Sequence, residues 1–159
     1  MHPNTERVVR AAAARGLSIE VREFPEDTRT APDAARAIGC DLGQIVKSLV
    51  FTIDGAPVVL LVSGANRVDE AKLAAAVGGG VVDRATAGTA RAATGYPIGG
   101  VPPFAHDRVL RTLVDDDLMA FDVVWAAAGT PRAVFAIEPE ELVRLSAASG
   151  ADLAQRDGG

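Results

Sequence analysis

Two β-rich runs, Lys47–Ile53 and Val58–Ser63, meet through Asp54-Gly55, a dipeptide that tight hairpin turns favour because both of its residues tolerate positive φ. A short turn can join only antiparallel strands, since a parallel pair needs a crossover of a dozen residues or more. The hairpin therefore excludes an all-parallel doubly wound sheet. Helical and strand periodicities alternate on either side of it, which predicts a mixed α/β fold.

The other elements follow from local patterns. Thr5–Ala14 carries an apolar stripe of Val8, Val9 and Ala12 and stops at Gly16, as a helix does. Leu17–Phe24 alternates with period two up to Val21 and predicts a half-buried strand. Thr30-Ala31-Pro32-Asp33 has the form of an N-cap followed by proline in the first turn, and its helix runs to about Ile38 before Gly39. A further helix starts near Asp69 and ends at Gly78-Gly79-Gly80. Val81-Val82 predicts a short strand, and Ala85–Ala93 a short helix. Gly95–Phe104 contains Pro97, Pro102 and Pro103 and reads as a loop. Val109–Val114, Val123–Ala127 and Ala133–Ile137 predict strands, Glu138-Pro139-Glu140 opens a last helix to about Ala148, and Ala151–Gly159 is expected to fray. The whole is expected to be one domain spanning residues 1–159, with a mixed, barrel-like β-sheet of about seven strands flanked by helices.

Charge and composition narrow the function classes. The net charge of −5 argues against a broad nucleic-acid face and against a DNA partner, but a local basic patch can still meet a polyanion. The single cysteine excludes an intrachain disulfide framework and a Cys-rich zinc site. The longest stretch without a polar side chain, Leu73–Val82, is interrupted by three glycines and falls well short of the ~20 residues that cross a bilayer. The first residues lack the pattern of a signal peptide, so a cytoplasmic protein with no membrane partner is expected.

No metal site is expected: His2, His106 and Cys40 are far apart and lack ligand spacing, and His106 reads as a solvated loop histidine. Cys40 has no adjacent His or Lys to activate it and reads as a small buried residue. No nucleophile elbow, phosphate-binding loop or dinucleotide fingerprint is present, so no cofactor is expected.

Two features remain. Of 16 Lys and Arg residues only Lys47 and Lys72 are lysines, and Lys47 stands inside the largely apolar run Gln44–Phe51. Strand alternation puts it on one face with Leu49 and Phe51. It either snorkels at a strand end or offers a compact point charge at the edge of a pocket, which the planar fork of arginine cannot mimic. The second feature is Gly99-Gly100-Val101-Pro102-Pro103, which is either a plain turn or a stiff loop that presents backbone groups to a substrate.

These features, in this order, resemble the YbaK/prolyl-tRNA synthetase editing-domain family. The matching segments are Thr30–Ala35, Gln44–Phe51, Thr94-Gly95-Tyr96 with Gly99–Phe104, and Trp125–Ile137. The resemblance covers roughly residues 20–145 and implies a barrel-like mixed fold that hydrolyses amino acids wrongly esterified to tRNA, without metal or covalent nucleophile. It assigns the strand lysine to Lys47 and the family's GxxxP loop to Gly99–Pro103, with Lys47, Gly99 and Gly100 in catalysis. Phe24, Thr30, Ser63, Val101, Pro102, Pro103, Ala127 and Gly129 are assigned to substrate binding. The chain departs from the family at Ala126-Ala127-Ala128, where many members place a serine, and at Ala65-Asn66, where they often place aspartate. The implied partners are the acceptor end of a mischarged tRNA and an aminoacyl-tRNA synthetase. A catalytically silent module binding the acceptor end or a synthetase is the alternative, and a hydrolase of small aminoacyl esters or thioesters the third reading.

Overall fold

The computed structural model describes residues 1–28 and 30–156. In chain order the elements are α1 (Pro3–Ala14), β1 (Val21–Glu23), α2 (Ala31–Ile38), β2 (Val46–Ile53), β3 (Ala56–Ser63), α3 (Glu70–Ala76), β4 (Val82–Arg84), α4 (Ala87–Thr94), β5 (Arg111–Asp115), β6 (Val124–Ala127), β7 (Ala133–Ile137), α5 (Pro139–Ser146) and β8 (Ser149–Ala151). Short 3₁₀ turns cover Leu42–Gln44 and Asp116–Ala120.

The hairpin β2–β3 is formed in the register Val46↔Ser63 to Ile53↔Ala56. Its turn residues Asp54 and Gly55 have φ of 51° and 83°, the positive pair that a right-twisted two-residue hairpin needs. Around it stands a five-stranded sheet in the order β4-β2-β3-β5-β8, in which β3, β5 and β8 run parallel. The strands β1, β7 and β6 make a separate antiparallel sheet. Among the described residues a single bridge, Ile45 to Trp125, joins the two. The fold is mixed α/β, as expected, but the described strands form two sheets with no closed barrel.

Two cores explain the sequence of β3. Val46, Val59, Leu61 and Val114 on one face of the large sheet pack against Ala126, Phe135 and Ile137 of the small sheet and against Val8, Leu142 and Leu145 of the flanking helices. The opposite face, with Phe51, Val58, Leu60, Val62 and Leu113, packs against Leu73 of α3 and Leu153. A central strand covered on both sides reads as an unbroken apolar run, which is what Val58–Val62 is.

Two expectations are corrected. The strand over Leu17–Phe24 shrinks to Val21–Glu23, which pairs with Phe135, Val134 and Ala133 of β7, while the Leu17 N–H is drawn back to the Ala12 carbonyl at the end of α1 at 2.9 Å. The tail expected to fray from Ala151 is held instead: Leu153 and Ala154 are fully buried, Ala154 bridges Val68, and Lys72 donates to Asp152 at 2.8 Å and to the Ala154 carbonyl at 2.7 Å. Residues 157–159 of that tail lie outside the described residues.

The double burial of β3 sets a stability test. Leu60→Ala should cost ~2–5 kcal/mol by urea unfolding, whereas Val109→Ala, at a fully exposed side chain, should stay within about 0.5 kcal/mol.

Candidate functional site

A cleft of about 400 Å³ opens where the start of β2, the N-terminus of α2, the loop before Val101 and the strand β6 converge. The helix α2 is set at the rim by its cap: the Thr30 hydroxyl accepts from the Asp33 N–H at 3.2 Å, and Gly39 closes the helix in the left-handed conformation. Of the residues singled out in the sequence, Lys47, Gly99, Thr30, Val101 and Ala127 line this cleft. Chain folding thus brings Lys47 to the glycine loop from fifty-two positions away in sequence.

The others stand apart from it. The Ser63 hydroxyl donates to the Gly43 carbonyl at 2.7 Å, and neither residue lines the cleft. Gly129 packs on Asn4, whose amide donates to its carbonyl at 3.1 Å. Phe24 lies under the Arg22 guanidinium and borders a separate surface hollow with Asp33 and Arg36. Pro102 and Pro103 are buried behind the loop.

The loop itself is a turn. The Gly100 N–H donates to the Pro97 carbonyl at 3.0 Å, and Gly99 sits at the third position with φ of 87°, where the type II geometry calls for glycine. A Cβ on Gly100 would come within 2.7 Å of Thr130 Cα, so this backbone is pressed against the β6–β7 connection. With the Gly100 N–H occupied, the N–H groups of Gly99 and Val101, both on residues that line the cleft, have no acceptor among the described residues, and neither do those of Ile98 and Phe104.

Lys47 shares its sheet face with Leu49 and Phe51, as alternation predicts, and pairs in register with Val62. Its half-buried ammonium donates to the backbone carbonyl of Asn66. Burial pushes its pKa below the usual lysine value, Arg84 and then Arg67 add to the fall, and Asp115 opposes it. The same Lys47 also borders a second cleft of about 490 Å³, with Arg67 and Arg84 above a floor that includes Leu49 and Phe51. Neither arginine forms an ion pair among the described residues, although seven ion pairs engage other cations of the chain.

Sequence reasoning missed several residues here. Asn66 acts through its carbonyl, with its side-chain amide donating to Asp115 at 2.9 Å and Asp117 at 2.7 Å. Ser48, on the cleft wall, has a buried hydroxyl with no hydrogen-bond partner among the described residues. His106 is no solvated loop histidine: its Nε2 lies 2.7 Å from the Pro102 carbonyl oxygen. Cys40 packs beside Ala34, Ala35 and Ile45, and burial followed by Asp41 raises its pKa, the reverse of an activated thiol. No group of three or more His, Cys, Asp or Glu that could hold a metal occurs among the described residues, and no described helix is long and apolar enough to cross a membrane.

Comparison with known proteins gives a consistent picture. The model of the aminoacyl-tRNA editing domain family matches residues 25–145. The protein YwhH of Bacillus subtilis (strain 168) is 32% identical over 129 residues, covering 80% of this chain and 81% of that protein. EbsC of Enterococcus faecalis, named as a candidate Cys-tRNA(Pro)/Cys-tRNA(Cys) deacylase, is 27% identical over 84% of this chain and 82% of its own. Among solved structures, a candidate trans-editing enzyme for prolyl tRNA synthetase superposes with a TM-score of 0.92 at 45% identity, covering 98% of this chain and 99% of that one.

The depressed Lys47 pKa has a direct consequence for stability. In the folded chain the charged ammonium carries a cost that the unfolded chain lacks, and this cost is full at neutral pH. It is relieved as pH rises through the folded pKa toward the ordinary value of 10.5. The melting temperature of the parent should therefore rise relative to that of Lys47→Met across this alkaline window. A difference that stays constant from neutral pH to 10.5 would show an unperturbed lysine.

Proposed function

The chain belongs to the aminoacyl-tRNA editing domain family, and from that premise we propose that it is a single-domain, trans-acting deacylase that hydrolyses the ester bond of a mischarged tRNA carrying a small amino acid, on tRNA(Pro) or a similar tRNA. The observation that carries this reading is the convergence of the Lys47 ammonium with the unengaged N–H groups of Gly99 and Val101 on the walls of one cleft. An aminoacyl ester is already activated, so the protein need only position water and stabilise the oxyanion that develops on the carbonyl. Water oxygen bonds to that carbon, the bond to the ribose oxygen breaks, and the ribose oxygen leaves with a proton. Lys47 supplies a point charge to the terminal phosphate or to the carbonyl end, and the loop N–H groups serve as fixed donors.

The rest of the lining supports a small amino acid. Ala31, Ala34, Val101, Ala126, Ala127 and Val134 present only small or branched apolar groups, with Trp125 as the aromatic wall. A cleft of about 400 Å³ that must also take the terminal adenosine leaves little room for a long side chain. The missing loop serine removes a hydroxyl that could have recognised a polar one.

A net charge of −5 is compatible with a tRNA partner because contact is local. Lys47, Arg67 and Arg84 outnumber the one carboxylate, Glu70, that lines the second cleft with them, a local excess of positive charge suited to the phosphates of the acceptor end. A synthetase partner would bring further tRNA selection, and the work belongs in the cytoplasm, where charged tRNA is used.

The test is a single-turnover panel of tRNA(Pro) and other tRNAs, each charged with one small amino acid. Ester hydrolysis should be found for at least one small apolar amino acid and should persist in EDTA. Arg67→Ser and Arg84→Ser should each weaken tRNA binding and lower the salt slope by about one. Binding without turnover across the panel would instead identify a silent module, and turnover confined to free aminoacyl esters a hydrolase of another kind.

A further inference from the structure

The loop that lines the cleft cannot brace itself. Pro102 and Pro103 have no N–H, and the one backbone hydrogen bond between residues 97 and 104 among those described is the Gly100–Pro97 turn. Its two ends are nonetheless fixed in the main core. Tyr96 is fully buried, and Phe104 packs edge-to-face on Phe135 with ring centroids 5.8 Å apart. Beyond Phe104 the chain turns back sharply. Ala105 takes φ of 68°, a left-handed conformation that costs an L-alanine energy and persists where the surrounding structure over-determines it. Its carbonyl accepts from the Tyr96 hydroxyl at 2.8 Å. This reversal brings the His106 ring over the loop, where Nε2 stands 2.7 Å from the Pro102 carbonyl oxygen. A carbonyl only accepts, so Nε2 carries the proton and donates.

We infer that His106 is a positioning residue of the deacylation site: its Nε2–H bond to the Pro102 carbonyl holds the Gly99–Pro103 loop so that the Gly99 and Val101 N–H groups keep a fixed place opposite Lys47. The inference rests on the function proposed above, and it concerns a residue that touches neither cleft directly. The surroundings favour the neutral ring that this bond requires. Burial lowers the His106 pKa, the bond to Pro102 opposes that fall, and Arg7 and Asp107, the charged pair nearest the ring, act in opposite directions. Those two are themselves ion-paired at 2.6 Å, and Arg7 also stacks over Tyr96, so helix α1 closes the bracket from outside.

The experiment has two arms. In the parent protein, nitrogen NMR of the His106 ring should show a neutral Nε2–H tautomer across the neutral range, and an Nδ1–H tautomer or a freely titrating ring would overturn the inference. In the second arm, single-turnover deacylation and amide hydrogen exchange are measured on His106→Ala and His106→Gln. The alanine variant should lose about tenfold or more in the maximal rate with KM within twofold, and exchange should accelerate at the Gly100 N–H, the hydrogen-bonded amide of the loop. The glutamine variant, whose amide can donate to the same carbonyl, should recover most of both. Equal rates in alanine and parent, or equal losses in alanine and glutamine with unchanged loop exchange, would reduce His106 to ordinary packing. Should His106→Ala fail to fold, the ring tautomer and the glutamine variant still decide. If the parent turns over no charged tRNA, the functional reading fails, while tautomer and loop exchange continue to test the brace.

Discussion

One ammonium, half-buried and paired with an uncharged oxygen, sets the terms for the rest of the cleft. Taking a lysine out of water is costly unless its protons find acceptors, and here the acceptor is the Asn66 carbonyl rather than a carboxylate. A carboxylate would neutralise the charge that a substrate needs, whereas a carbonyl holds the ammonium without cancelling it. The carbonyl in turn is held by a group deep in the fold. Asp115, with no exposed surface, accepts from the Ser63 N–H at 3.1 Å, the Asn66 amide at 2.9 Å and the Asp117 N–H at 3.0 Å. Those three bonds fasten the end of β3, the turn after it and the 3₁₀ turn after β5 into one unit, and Lys47 reads its position from that unit.

The same arrangement leaves positive charge in excess, with Glu70 the one carboxylate lining the second cleft. Arg67 and Arg84 face Lys47 across the second cleft without carboxylate partners among the described residues, and each makes the ammonium harder to hold. Mutual repulsion among three cations is an expense a folded protein ordinarily avoids by pairing, as this chain does elsewhere. Retained beside a cleft, it supports the proposed anionic substrate, for which stability would be given up for binding. The unsatisfied hydroxyl of Ser48 on the cleft wall belongs to the same economy, since an unpaired buried donor costs ~1–3 kcal/mol.

Much of this was legible in the sequence wherever one residue type dictates one geometry. Asp54-Gly55 announced the hairpin, Thr30 and Gly39 bounded α2, and alternation placed Lys47 on the face of Leu49 and Phe51. The less legible parts depend on contacts with no local pattern. The division into two sheets follows from how β6 approaches Ile45, far away in sequence. Asn66 contributes a backbone carbonyl, which every residue has. Arg67 and Arg84 come from different elements and meet only in space. His106 looked solvated because it follows a proline-rich loop, and only the left-handed Ala105 turns it inward. Leu153 hid its role behind polar neighbours on a chain end. Local chemistry fixes elements; the site is assembled by tertiary contacts.

The central claim is that the Lys47 ammonium acts on the substrate as a point charge, and single-turnover deacylation of the best mischarged tRNA tests it most directly. With folding confirmed by circular dichroism, Lys47→Ala should be slower by about 10²-fold or more, the scale of losing one preorganised electrostatic donor. Lys47→Arg should fail to restore the rate, because the planar fork cannot occupy the place of the ammonium beside the Asn66 carbonyl. A fully active Lys47→Ala, or an arginine variant that matches the parent, would contradict the account.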